Sequence, residues 1–192
     1  MRPILPVALA AALALGACAG RPDYFLTPPP AAPARDAGSA SSISVADISL
    51  PAYAETVEIA ELTESGAVTL AKDALWADTP RRALTRHLVA ALQSRLSAQI
   101  AAEPWPAFEQ PSLRLEVFVD RMIGAPEGPF QFSGQYVIVS PTSGRVISSD
   151  RFAIALAAQA PGYQGLIDVH ARAIEALADQ IAARIARTGG VS

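Results

Sequence analysis

Few side chains in this sequence could act as nucleophiles, metal ligands or proton carriers, and Cys18 is the first of them. It is the only cysteine in the chain, so an intramolecular disulfide is excluded. A single thiol in an exported protein is unusual unless it is used. Leu15, Gly16 and Ala17 precede it, and two small residues beside the thiol suit the narrow site of a signal peptidase. The chemistry expected here is alkylation of the Cys18 sulfur by a lipid.

The segment before this cysteine has the pattern of a secretory signal. Arg2 supplies a positive charge, and residues 4–15 form an apolar run that is interrupted only by Pro6. The run is too short to cross a bilayer as a helix, which needs about 20 apolar residues. Together with Cys18 it resembles the bacterial lipobox, in which the thiol receives a diacylglyceryl group and the new amino group an acyl chain such as palmitate. Residues 1–17 are therefore expected to be a lipoprotein signal peptide, with an ordinary signal peptide as the alternative.

The lipid would be the only membrane anchor, because no second apolar segment is long enough to cross a bilayer. Two or more acyl chains anchor a protein stably, whereas one is marginal. Ala19 stands where Gram-negative lipoproteins retained in the inner membrane often carry aspartate, which favours the outer membrane, with the protein facing the periplasm. The 15 basic and 18 acidic residues give no positive excess of the kind that binds nucleic acid.

The other reactive side chains form no catalytic or metal-binding pattern. His87 and His170 fall in two predicted helices, where the expected position is the helix surface, and no further cysteine or histidine could complete a metal site. Ser133 and Ser143 each precede a glycine but lie in strand and turn contexts, unlike a nucleophile elbow. The aspartates and glutamates are scattered over elements of different kinds. The sequence therefore predicts no catalytic residue, no metal and no cofactor.

Three aromatic residues are candidates for contact with a partner. Trp76 and Trp105 flank the first predicted helix. They either cover the core at the ends of that helix or face a partner, since tryptophan and tyrosine are enriched at interfaces. Tyr53 follows a strand that ends at Leu50 and Pro51. Both interpretations stay open for these side chains.

A single α+β domain over residues 43–188 would position these residues. Period-two alternation and β-prone runs predict strands at 43–50, 56–62, 68–71, 113–120, 130–139 and 145–157. Leucine and isoleucine at helical spacing predict amphipathic helices at about 79–101 and 163–187, the first with Asp78 as its N-cap. We expect the last three strands to form an antiparallel meander. Both helices should pack on one face of one antiparallel sheet, as a two-layer sandwich.

Residues 18–42 join the lipid to this domain and are rich in proline and serine. Residues 23–27 interrupt the stretch with apolar side chains that could form an edge strand. In that case the tether is only residues 19–22, and otherwise it extends over 19–42. The short tether is expected, because the sheet would bury some of the side chains of Tyr24, Phe25 and Leu26.

The order of these features resembles the PqiC-type auxiliary lipoproteins of ABC transport systems, which are membrane integrity-associated transporter subunits. The resemblance rests on the lipobox, on Tyr24–Leu26, on Leu50–Tyr53, on Leu75–Asp78 before a helix rich in arginine and leucine, and on the long strand Leu113–Asp120. It implies a non-enzymatic subunit that works with a permease, an ATPase and a mammalian-cell-entry domain protein. The implied task is to help move phospholipid or another hydrophobic molecule between the inner and outer membranes.

Two other classes of function stay open from the sequence. One is a lipoprotein component of another envelope machine, such as lipopolysaccharide export or outer-membrane protein assembly. The other is a periplasmic enzyme with an unrecognised site. The sequence does not fix the cargo, the direction of transport or the number of subunits, a homo-oligomer included.

Overall fold

The computed structural model describes residues 21–30, 40–125 and 128–188. The predicted signal peptide, the lipobox residues Leu15, Gly16 and Ala17, and Cys18 lie outside the described residues. The chain order of the elements is β1 (Asp23–Phe25), β2 (Ser42–Val45), a short 3-10 helix (Ala52–Ala54), β3 (Glu58–Leu62), β4 (Val68–Trp76), α1 (Pro80–Arg95), β5 (Gln99–Ala102), β6 (Leu113–Gly124), β7 (Pro129–Ser140), β8 (Arg145–Ala157) and α2 (Gly162–Thr188). The predicted α+β class is confirmed.

The larger sheet has five strands in the order β5-β2-β6-β7-β8. Its second half is the predicted meander, in which β6, β7 and β8 are long antiparallel neighbours. Alternation puts one face of these strands in the core, and its largest residues include Leu115, Phe130, Phe132 and Ile138. Gly134 of β7 faces a bulge in β6, where an added Cβ would come within 2.1 Å of the Phe118 carbonyl oxygen. Position 134 therefore needs a glycine, because a side chain there would clash with the backbone of β6.

The prediction of one antiparallel sheet is wrong in two respects. β2 pairs parallel with both β5 and β6, so the five-stranded sheet is mixed. A second sheet, in the order β1-β4-β3, has β1 parallel and β3 antiparallel to β4. The chain leaves the first sheet at Pro51, which has no N–H to donate, and turns through the 3-10 helix before β3. The strands predicted at 56–62 and 68–71 thus exist as β3 and β4, but β4 continues to Trp76 and both belong to a second sheet.

The first helix ends earlier than its leucine spacing predicts. It stops at Arg95, and Leu96 already has extended backbone angles, with φ −118° and ψ 145°. Residues 99–101, expected in the helix, belong to β5 (Gln99–Ala102) instead. Leu96 and Ile100 are still buried, so the apolar pattern is satisfied by a turn and a strand. The Gln93 side chain donates a hydrogen bond to the Ile100 carbonyl at 2.7 Å across this reversal.

The start of α1 also differs from the prediction, because Asp78 is not its N-cap. Thr79 occupies the cap position without a side-chain hydrogen bond, and Pro80 begins the helix. Asp78 accepts a hydrogen bond from the Thr79 N–H at 2.8 Å, and its other oxygen lies 3.2 Å from Arg82. The proline at the first helical position needs no hydrogen-bond partner for its nitrogen.

Both helices extend from the three-stranded sheet toward the far end of the domain. At the start of α2, the Tyr163 hydroxyl lies 3.4 Å from Glu61 of β3. Further along, Arg95 at the end of α1 pairs with Asp179 of α2 at 2.6 Å. The predicted apolar stripe of α2 is fully buried, at Ile167, Ile174, Leu177, Ile181 and Ile185. The two helices and the inner faces of the sheets share one core.

We predict that Leu88→Ala and Ile181→Ala each lower the free energy of unfolding by about 2–5 kcal/mol, because both side chains are fully buried and would leave cavities. Urea denaturation followed by circular dichroism measures the change. Arg86→Ala, on the exposed side of α1, is the control and should change it by less than about 0.5 kcal/mol. Unchanged midpoints for both core variants would contradict this assignment of the helix faces.

Candidate functional site

Two of the three aromatic candidates have packing roles in the described structure. Trp76 is buried in the core, and its ring meets His170 edge-on with the ring centres 5.2 Å apart. Tyr53 is half-buried, and its hydroxyl accepts a hydrogen bond from the Met122 N–H at 3.0 Å. Met122 lies just beyond the bulge in β6, so Tyr53 ties the 3-10 helix to that strand. For Trp76, the burial favours the interpretation that it covers the core.

The expectation that the histidines lie on helix surfaces is wrong, because both are buried. The His170 ring lies 4.3 Å from the ring centre of Phe130 and beside Trp76. Its Nδ1 donates to the Leu166 carbonyl at 2.6 Å, which fixes the proton on that nitrogen. Burial lowers the pKa of His170 to about 4, since a charged imidazole would lose its hydration in this apolar surrounding. His170 is therefore neutral at physiological pH.

His87 is the second enclosed histidine. Its Nε2 approaches Glu175 Oε1 to 3.5 Å across the interface between α1 and α2. Burial lowers the pKa of His87, and the nearby Glu175 opposes that shift in part. His87 lines a small open pocket of about 340 Å³ beside Phe25 and Leu26, and no serine or cysteine is among the residues that line it. Among residues 21–30, 40–125 and 128–188, no three histidine, cysteine, aspartate or glutamate side chains come together as a metal site.

The third aromatic candidate, Trp105, lies in the loop between β5 and β6. Its indole Nε1 donates to the Glu109 carbonyl at 2.9 Å, which closes the loop on itself. At the base of the loop, Arg114 makes two contacts with Glu103, at 2.6 and 3.1 Å. That guanidinium lowers the pKa of Glu103, so the pair stays charged. The loop is thus held at its base and braced across its middle.

An open cleft of about 1040 Å³ lies between this loop, the end of α1 and β5. We name it the Trp105 cleft, and its walls combine apolar side chains with hydroxyl and amide groups, including Leu96, Ile100, Trp105, Ser42, Gln93 and Gln99. Phe108, in the same loop, is completely exposed. Such walls can hold a peptide or an apolar chain, and they contain no nucleophile paired with a base. Phe108 is not among the candidates predicted from the sequence, because its only signal is an aromatic residue within a proline-rich loop.

A second apolar surface lies at the N-terminal edge of the described structure. β1 is an edge strand, and Phe25 packs toward Tyr163 with the ring centres 6.2 Å apart. Tyr24 and Leu26 stay 66% and 73% exposed, so the sheet buries only one of the three apolar side chains. In the part of the chain that the structure describes, no helix is long and apolar enough to cross a membrane.

A family model for the ABC-type transport auxiliary lipoprotein component matches the chain over residues 24–182. The chain belongs to this family. The match begins within β1 and ends within α2, so the auxiliary lipoprotein family shares both sheets and both helices described above. No curated protein sequence matches the chain.

Solved structures support the same fold for this auxiliary lipoprotein. An uncharacterized protein is 22% identical with a TM-score of 0.72, and the match covers 86% of this chain and 99% of that one. A protein from Xanthomonas campestris is 18% identical with a TM-score of 0.62, and the match covers 88% of this chain and 95% of that one. At these identities the likeness shows the fold alone.

We predict that the auxiliary lipoprotein loses stability as pH falls from 6.5, because unfolded His170 takes up a proton that the folded form refuses until about pH 4. Between pH 6.5 and 5 this uptake should lower the free energy of unfolding by about 1.5 kcal/mol. Urea denaturation at four pH values measures it. His170→Gln should flatten the dependence and leave the smaller contribution of His87. Parallel pH profiles for the two proteins would contradict the prediction.

Proposed function

We propose that this chain is a non-enzymatic lipoprotein of the outer membrane, acylated at Cys18, in a transport system that moves phospholipid or another hydrophobic molecule between the two membranes. Its partners would be a mammalian-cell-entry domain protein with the ABC permease and ATPase of the same system. Family membership supports a transport role, and the Leu15–Cys18 pattern supports the anchor. The Trp105 cleft would be the docking surface for the periplasmic part of the transporter.

The observation that carries this proposal is the separation of the two apolar surfaces. β1, which begins five residues after Cys18, lies beside Ala74–Trp76, immediately before α1. The Trp105 cleft includes Gln93 and Leu96 at the other end of that helix. α1 has 16 residues, so the two surfaces are about 24 Å apart. A protein held at one end and docking at the other suits a bridge from a membrane to a partner.

The buried, neutral histidines favour this role over the enzyme alternative. In the described residues, His87 and His170 are both buried, and neither lines the Trp105 cleft. The cleft walls offer hydroxyl and amide groups and the Glu109 carboxylate, without a histidine or a cysteine. A component of another envelope machine would have the same anchor and the same cleft, so the partner itself must be identified by experiment.

Acylation is tested at Cys18. Cys18→Ser should abolish incorporation of radioactive palmitate and leave the chain uncleaved, because the thiol accepts the diacylglyceryl group that precedes cleavage. Ala19→Asp is the matched variant, which should keep its label but move from the outer-membrane to the inner-membrane fraction. Persistent label in Cys18→Ser would rule out Cys18 as the acylated residue. An unchanged fraction for Ala19→Asp would count against the sorting proposed here.

Docking is tested at Phe108. A photo-crosslinking amino acid at this position should capture the mammalian-cell-entry protein in intact cells, because the side chain is exposed beside the Trp105 cleft. The same amino acid at Val146, an exposed residue of β8, is the control and should give at least tenfold less product. Capture of a lipopolysaccharide-export or outer-membrane-assembly protein at Phe108 would replace the proposed partner. Equal products at both positions would remove the cleft from the proposal.

A further inference from the structure

The outer face of the three-stranded sheet carries an exposed apolar surface. In the β3–β4 hairpin, Leu62 lies opposite Val68, and Ala60 lies opposite Leu70, so these pairs share one face. Val68 and Leu70 are 45% and 43% exposed. Leu75 and Tyr24 are neighbours across β4 and β1, and Leu75 lies opposite Glu58, two residues before Ala60. We name Tyr24, Leu62, Val68, Leu70 and Leu75 the outer hairpin face.

The opposite side of this sheet is occupied by the core. Ile59, Ala74 and Trp76 are buried there. Phe25 packs against Tyr163 of α2, whose hydroxyl also meets Glu61. The apolar side chains of the outer hairpin face therefore do not help to hold α2. Packing of that helix does not explain why apolar residues are exposed on this face.

The lipid anchor restricts what can lie near this face. Cys18 is five residues before Asp23, so the two Cα atoms are at most about 17 Å apart. Asp23 lies beside Ala74, and β1 is parallel to β4. Leu70 precedes Ala74 by four residues, or about 13 Å of strand. A lipid on Cys18 would thus keep the outer hairpin face within one short chain length of the bilayer.

We propose that the outer hairpin face is the surface on which the anchored domain rests on the bilayer. This inference relies on the proposed acylation of Cys18. Tyrosine is favoured at the membrane–water interface, where Tyr24 would place its ring, and Val68 and Leu70 would enter the boundary between headgroups and acyl chains. Lys72 and Asp73 are both exposed in the same strand and their charges offset each other, so the contact relies on the apolar side chains. Glu64, in the hairpin turn, keeps the contact shallow.

The small size of the face favours a membrane over a protein partner. A stable protein interface buries about 800 Å² on each side. Five partly exposed side chains supply much less than that, and two acyl chains would already hold the face in place. A bilayer contact needs only to set the orientation of the domain. With this face down, both helices lead away from the membrane, and the Trp105 cleft opens toward the periplasm.

The test uses the mature lipidated chain in vesicles of phosphatidylethanolamine and phosphatidylglycerol. Its Cys18 sulfur is already in a thioether, so a single introduced cysteine takes a fluorescent label uniquely. Val68→Cys is compared with Val146→Cys, because both valines are exposed. α2 leads from Tyr163, near Glu61, to Arg184, which pairs with Asp150 of β8. Those 21 helical residues separate the two ends by about 30 Å, and Val146 lies beyond Asp150 along β8.

We expect lipids that carry a quencher near the headgroup to quench the label at position 68 at least threefold more than the label at 146. Aqueous iodide should give the reverse order. Leu70→Glu, introduced into the Val68→Cys protein, should increase the iodide quenching of the label at position 68. The protein should still float with the vesicles. A thermal denaturation curve, recorded on an unlabelled sample of each variant, checks that the variant is folded.

The outcomes separate this inference from the acylation on which it relies. Equal quenching at 68 and 146 in protein that carries the acyl label and floats with vesicles would overturn the resting surface and leave the anchor standing. Protein without the acyl label that stays unbound would overturn the anchor itself. Cross-linking of two Val68→Cys chains to each other by a short bismaleimide in the vesicles would show that a second copy covers the face, and the membrane assignment would then fail.

Discussion

Three side chains from different elements connect the parts of this fold. Trp76, at the end of β4, meets His170 of α2, which in turn lies against Phe130 of β7. The small sheet, the long helix and the large sheet are thus joined through one imidazole ring. The contact requires a neutral His170, and its enclosure supplies that condition by lowering the pKa to about 4. Since α1 follows Trp76 by a few residues, the position of the first helix also depends on this junction.

The parts of the fold that were predicted correctly are those with a local cause. The meander follows from alternation along β6, β7 and β8, and the buried stripe of α2 follows from isoleucines and leucines at helical spacing. The end of α1 was missed because Leu96 and Ile100 keep the spacing of a helix while forming a turn and a strand. Their true arrangement depends on β5 pairing with β2, about 57 residues earlier in the chain. The spacing of the apolar residues in this segment does not indicate that it pairs with β2.

The candidate site residues also divide into those with a local signal in the sequence and those whose role depends on distant parts of the fold. Cys18 is predicted from the residues next to it and from an apolar run, so this prediction needs no knowledge of the fold. Trp105 and Tyr53 were found as aromatic residues, but their roles depend on neighbours such as Glu109 and Met122. The histidines were misplaced because the aromatic rings that enclose His170 come from Trp76 and Phe130, each at least 40 residues away. Phe108 and the outer hairpin face are defined by exposure, which is a property of the assembled chain.

The placement of charge suits a protein that works by keeping two surfaces at a fixed separation. Arg95 pairs with Asp179, and Arg184 pairs with Asp150, so ion pairs connect the far halves of the helices to each other and to β8. Asp179 is exposed, and Arg184 and Asp150 are both partly exposed, so these pairs add little to stability, but they limit sliding of one element past another. The remaining core is apolar and shared by both sheets. The contact of Trp76, His170 and Phe130 limits movement of the small sheet relative to α2 and the large sheet. This packing suits the proposed role of the domain as a spacer that keeps the outer hairpin face and the Trp105 cleft at a fixed separation.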